Sequence, residues 1–95
     1  MPEPATRMHI DEQFWIRQLN FVRAGDQHAG HLHSHDHLTL IAHGSIRVTC
    51  EGVSQDFEAP HIVTITKMKV HDLVALTDGA VAYCVASIAD VVRGK

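Results

Sequence analysis

Four of the nine histidines in this 95-residue chain are arranged as if to hold a metal: His31, His33 and His37 close together, and His71 downstream. The first three lie in the run Gly25-Asp-Gln-His-Ala-Gly-His31-Leu-His33-Ser-His-Asp-His37, followed by Gly44. Neutral imidazole is the commonest protein metal ligand, and its titration near physiological pH makes histidine a poor surface filler without a task. Ligands spaced i, i+2 project to the same side of a strand, because strand side chains alternate faces. A third ligand a few residues on and a distant fourth are what a sheet needs to wrap a single ion. Three His-x-His pairs overlap, at 31/33, 33/35 and 35/37, and the spacing alone does not choose among them.

The elements that must position these residues read as short strands. Aromatics are scarce, and Val, Ile, Leu and Thr carry the hydrophobic pattern, which favours strands over helices. Residues 1–12 contain two prolines among mixed polar residues. They read as a flexible N-terminal arm, leaving 13–95 as one domain. Phe14 to Arg23 alternates, Gly25-Asp26 and Gly30 break the pattern, and His37 to Ala42 forms the next run. Within it His37, Thr39 and Ile41 share one face, Leu38 and Leu40 the other. Glu51-Gly52 is a hairpin signal between Ile46–Cys50 and Val53–Phe57. Ala59-Pro60 interrupts before a strand at His61–Thr66. Thr77-Asp78-Gly79 is the strongest hairpin signal, between His71–Leu76 and Ala80–Ser87. Only Ile88 to Val92 has helical spacing. Short strands with frequent turns predict an all-β sandwich or barrel, and an inward-facing metal cluster suits a jelly roll, whose two sheets enclose a pocket.

Composition narrows the function classes. The chain is 45% apolar and 20% charged, as soluble globular domains are. A net charge of −3, with no Lys/Arg cluster, argues against a nucleic-acid partner. No run of about eighteen apolar residues offers a membrane span. Met-Pro-Glu-Pro-Ala-Thr-Arg lacks the layout of a secretory signal. Cys50 and Cys84 sit in apolar strand-like runs and read as free thiols, which together with the rest fits a cytoplasmic protein.

The histidine run resembles the first motif of the cupin family, Gly-x5-His-x-His-x3–4-Glu-x6-Gly. Gly25, His31, His33, His37 and Gly44 match its spacing, with His37 standing where the family usually has Glu. The second family motif, Pro-x-Gly-x-x-His, keeps only its histidine, His71; Thr66 and Met68 occupy the Pro and Gly positions. The resemblance spans about residues 25 to 86 and implies an all-β double-stranded β-helix barrel (a cupin-like jelly roll). It selects His31, His33, His37 and His71 as ligands of one divalent transition metal, zinc, iron, nickel, manganese or copper. Replacing a carboxylate by imidazole removes a negative charge from the ligand set and disfavours hard cations such as Mg²⁺. His35 and Asp36 fall in the bend between, where one could orient a ligand. His28, near the mouth, and His43, before Gly44, read as ordinary polar residues, His9 and His61 as surface residues.

Two function classes follow. An all-histidine cupin centre with open positions implies dioxygenase-type or isomerase/lyase chemistry on a small oxygenated organic molecule. Tyr83 is then a weak candidate for a catalytic acid or base, and Asp72 faces away from His71 by strand parity. The other class is a non-catalytic metal- or metabolite-binding module. A homodimer is compatible with both, with Phe14 to Phe21 as an exposed edge that could pair across a two-fold axis.

Overall fold

A computed structural model describes residues 2–30 and 36–93. His31, His33 and His35 therefore lie outside the described residues. The strands are β1 Ala5–Ile10, β2 Phe14–Asn20, β3 Gln27–His28, β4 His37–His43, β5 Ser45–Cys50, β6 Val53–Glu58, β7 His61–Ile65, β8 His71–Ala75 and β9 Val81–Ser87; helix α1 spans Ile88–Arg93. They form a five-stranded sheet in the order β1-β2-β9-β4-β7 and a four-stranded sheet in the order β3-β8-β5-β6. All the pairings are antiparallel. The two sheets face each other, and the expected all-β jelly roll is the fold.

Alternation decides which residues meet between the sheets. In β4, Thr39 and Ile41 are fully buried while Leu38 is 47% exposed, as the period-two reading required. The cross-strand register carries this face along the sheet: Arg17 lies opposite Cys84, Cys84 opposite Thr39, and Thr39 opposite Val63. Leu19, Ala82 and Ile41 form the neighbouring inward row. In the smaller sheet Ile46 and Val48 lie opposite Ala75 and Leu73. Leu19, Phe21, Ile41, Ile46, Val48, Ala75, Ala80 and Ala82 are buried in one apolar core, which Ile65, Leu73 and Cys84 join to a cavity between the sheets. The inward residues of β9, Ala82, Cys84 and Ala86, are all small and buried.

The Glu51-Gly52 hairpin forms as expected. Both residues are at positive φ, 51° and 78°, and Cys50 pairs with Val53. Three expectations need correction. The segment read as a loose arm contains β1, paired with β2 along its whole length. Its turn is encoded by Asp11, a residue type whose side chain bonds nearby backbone. The Asp11 carboxylate accepts from the Gln13 and Phe14 amides, both at 2.7 Å. Since β1 covers β2, the Phe14–Phe21 segment is not a sheet edge. Thr77-Asp78-Gly79 is no hairpin, because β8 and β9 belong to different sheets. That turn is tied to neighbouring loops: Asp78 accepts from the Ala24 amide at 2.8 Å, Thr77 from the Ser45 amide at 3.0 Å, and the Gly79 amide donates to Val22 at 3.2 Å.

The helical spacing near the end of the chain is realised as α1. The Ser87 hydroxyl accepts from the Asp90 amide at 3.1 Å, which caps the helix. The Ile88 amide donates to the Gln13 carbonyl at 2.8 Å. Both cysteines are free, Cys84 buried and Cys50 half-buried. Among the described residues no helix is long and apolar enough to cross a membrane.

Candidate metal and ligand site

Beside the apolar core, the two sheets enclose a cavity of about 140 Å³. The four-stranded sheet contributes His28, His71 and Leu73; the five-stranded sheet contributes Trp15, Arg17, His37, Thr39, Ile65 and Cys84. Gly30 and Val91 of α1 complete the wall. Two of the four expected ligands, His37 and His71, thus face one space from opposite sheets. The other two, His31 and His33, fall outside the described residues.

The chain on either side of that segment is held in place. Gly30 donates its amide to the Asp72 carboxylate at 2.7 Å, and a Cβ on Gly30 would collide with the backbone carbonyl of His71. Only glycine lets the two backbones approach so closely. Asp72 faces away from His71 as parity predicts, and its role is to fix the strand entering the histidine run. At the other end, Asp36 accepts from the Lys67 amide at 2.7 Å. Its carboxylate therefore ties the run to the loop leading into His71. Gly44, which closes the motif, sits at φ +73°, where a Cβ would also collide with the Thr77 hydroxyl. The motif's spacing there reflects a backbone need.

His71 is oriented by its own loop. Its Nδ1 lies 3.2 Å from the Lys69 carbonyl. A carbonyl only accepts, so this bond places the proton on Nδ1 and leaves the Nε2 lone pair for a ligand. Met68, at the position of the glycine in the second motif, adopts φ 62°. Among the described residues no group of three or more His, Cys, Asp or Glu side chains converges to hold a metal. The donor chemistry nevertheless fits a borderline transition-metal cation, which takes imidazole nitrogen readily.

Thr39 and Cys84 are buried neighbours in the cavity wall, with Oγ1 and Sγ 3.6 Å apart. Burial pushes the Cys84 thiol above its usual range; the Thr39 hydrogen bond and the Arg17 charge oppose that shift without overcoming it. An apolar surrounding disfavours the thiolate in this way because it withholds solvation from the charge. Arg17 stacks on Trp15, its guanidinium carbon 4.9 Å from the ring centroid, within cation–π range.

Other candidates stand apart from the cavity. Tyr83, the proposed acid or base, is on the opposite face of β9 from Cys84, as its neighbour in a strand must be. Its hydroxyl accepts from Gln18 Nε2 at 2.7 Å, and the two residues are directly paired across β2 and β9. That placement removes it from the site. His28, read as an ordinary polar residue, lines the cavity instead, because its pairing with Leu73 puts it on the inward face. His43 bonds through Nδ1 to the Gly79 carbonyl at 3.0 Å, His61 stacks on Phe57, and His9 pairs with Asp11. Arg17 and Trp15 escaped the sequence reading. Their signal was the alternation Trp15, Arg17, Leu19, in which a charge occupies an inward position.

No family model and no curated protein matches the sequence. Solved structures do match. A cupin 2 conserved barrel domain protein from Salinispora arenicola superposes with a TM-score of 0.79 at 18% identity, covering 95% of this chain and 81% of that one. An RmlC-like cupin from Desulfovibrio desulfuricans gives 0.76 at 19% identity, covering 88% and 82%. A second RmlC-like cupin, from Shewanella frigidimarina, gives 0.73 at 19% identity, covering 86% and 73%. At such identities the likeness speaks for the backbone alone, and it agrees with the sheet order and the cavity between the sheets: the chain has the double-stranded β-helix fold of the cupins.

Proposed function

We propose that this chain is a small metal-binding cupin, holding one divalent transition metal through His31, His33, His37 and His71. It would act on a small oxygenated organic molecule by dioxygenase-type or isomerase/lyase chemistry. The observation that carries this reading is the convergence of His37 and His71 on one cavity, with Gly30, the residue before His31, packed on the His71 backbone. A bound ion of this kind polarises a substrate oxygen or lowers the pKa of bound water to about 7. The chain's own part is to orient His71 through the Lys69 carbonyl and to surround the ligand with Trp15, Ile65, Leu73 and Val91, which limit water.

A non-catalytic metal- or metabolite-binding module is the second reading. It is favoured by the absence of a carboxylate or tyrosine among the described residues that line the cavity. Metal-dependent turnover of small keto and hydroxy acids distinguishes the two; a closed four-coordinate site with no exchangeable water would exclude the enzyme.

The site itself is tested by elemental analysis of untagged protein purified without metal-affinity resin, wild type beside His71→Ala. The expected result is about one metal per chain, strongly reduced in the variant. No stoichiometric metal in either protein refutes the centre, and unchanged metal in the variant moves the fourth ligand to His28 or His35. We also place the protein in the cytoplasm as a homodimer. The outward face of the larger sheet supports the dimer, since Leu38 and Ile62 are both largely exposed there and exposed apolar patches mark interaction surfaces.

A further inference from the structure

Arg17 is out of place in a barrel interior. It occupies an inward position of β2 between Trp15 and Leu19, directly opposite Cys84, and is half-buried in the cavity wall. Among the described residues no carboxylate pairs with it; the ion pairs are His9–Asp11 and Arg47–Asp56, both at the exposed surface. Its one close aromatic partner is Trp15, whose face steers the guanidinium without neutralising it. A cation turned into a cavity without a counter-charge costs stability. Leucine or methionine would fill the same inward position without that cost.

We propose that Arg17 determines the specificity of the cavity, and that the ligand it selects is a small carboxylic acid, bound as its anion. This deepens the preceding reading, since it assumes that the cavity is the ligand site. One planar guanidinium presents a fork that matches one carboxylate through two parallel hydrogen bonds. The remaining walls suit the rest of such a ligand: Trp15, Ile65, Leu73 and Val91 are apolar, and Thr39 supplies a hydroxyl. A phosphate dianion would ask for a second cation or a nest of backbone amides, and Arg17 is the one Lys or Arg among the described residues of the wall. The space is small, so the acid is short. Held by Arg17 on the larger sheet, it would turn its far end toward His37 and His71.

The only tryptophan of the chain, Trp15, carries the guanidinium and reports on it. Protein as purified is titrated with pyruvate, lactate, 2-oxobutyrate and benzoate, and with the amide of each, by calorimetry and Trp15 emission. At least one acid is expected to bind saturably and more than about tenfold tighter than its amide. In Arg17→Gln that gap closes while binding of the amide is unchanged, and Arg17→Lys, which keeps the charge but not the fork, retains part of it. Arg17→Gln should melt at or above the wild-type temperature, which a merely structural arginine would not allow. Equal binding of acid and amide for all four pairs, no saturable binding of any acid, or a full gap in Arg17→Gln or Arg17→Lys overturns the proposal. Metal content is measured on the same samples and the titration repeated after EDTA dialysis. Protein that is metal-free as purified and shows the Arg17-dependent preference would refute the metal centre alone. A fully loaded protein without the preference would refute this inference alone.

Discussion

Replacing Gly30 by alanine should damage the protein more than any other single methyl group added at a described glycine. The added Cβ would fall on the backbone carbonyl of His71, which cannot rotate away as a side chain would. To make room, β3 and β8 must separate, which also lengthens the 2.7 Å bond from the Gly30 amide to the Asp72 carboxylate. Overpacking of this kind costs about 1–3 kcal/mol. Loss of a hydrogen bond to a charged group adds about 1–2 kcal/mol, less than a buried one because Asp72 is half-exposed. The sum, roughly 2–5 kcal/mol, corresponds to a fall in Tm of about 10–25 °C for a domain of this size, at about 5 °C per kcal/mol. Gly52→Ala provides the comparison: its Cβ would meet nothing, and its φ is +78°. That leaves a conformational cost alone, about 1 kcal/mol. Thermal melts of both variants and wild type, followed by circular dichroism after EDTA dialysis, separate the two costs. Elemental analysis of undialysed protein should also show less metal in Gly30→Ala. If Gly30→Ala melts within about 3 °C of wild type, or above Gly52→Ala, the two backbones are not in contact and the account of how the histidine run is positioned fails.

Met68 stands at φ 62°, and glycine adopts that conformation without the side-chain penalty. Met68→Gly should therefore raise stability by about 0.5–1 kcal/mol; a lower Tm would show that the left-handed turn before His71 is not present. Asp11 is held at about 2, below its ordinary 3.8, chiefly by the hydrogen bond from His9 and then by the Phe14 and Gln13 amides. A depressed carboxylate stabilises above its unfolded pKa and stops doing so as pH falls through the folded one. Wild type should therefore lose Tm more steeply than Asp11→Asn between about pH 4 and pH 2; parallel profiles would contradict the turn chemistry assigned to Asp11. In native protein a thiol reagent should modify Cys50 first and Cys84 only on unfolding, since burial raises the Cys84 thiol and the thiolate is the reactive form. Equal rates for the two would refute that burial.

Much of the architecture was legible because strand alternation is a local rule. Thr39 and Ile41 inward with Leu38 outward, and the Glu51-Gly52 turn, follow from neighbours in the chain. What escaped depends on partners distant in sequence. Residues 5–10 look unstructured until β2 is there to pair with them, and six exposed side chains leave no apolar pattern to read. Thr77-Asp78-Gly79 announces a reversal, but turn residues do not say to which sheet the chain returns. At the site, the cupin-like motifs pointed to His37 and His71, which line the cavity, whereas His28 stands in a two-residue strand too short for any periodicity. Arg17 was overlooked because a charge inside an alternating run reads as a solvent-facing position. Its inward placement is shared with Trp15 and Leu19 by alternation, and the register with Cys84 makes it plain.

The small inward side chains of β9 bear on how this barrel could change. Cys84 stands in the cavity wall between Ala82 and Ala86 on the same face, and β9 is central, fixed on both sides by β2 and β4. Its backbone is therefore among the least free to move, while the Cys84 side chain helps to set the space beside it. Exchanging Cys84 for valine would change the space of the cavity at a position other than the histidines and Arg17. In an evolving lineage, selectivity for size could drift one methyl group at a time on a fixed frame, independently of the groups that recognise charge or hold an ion.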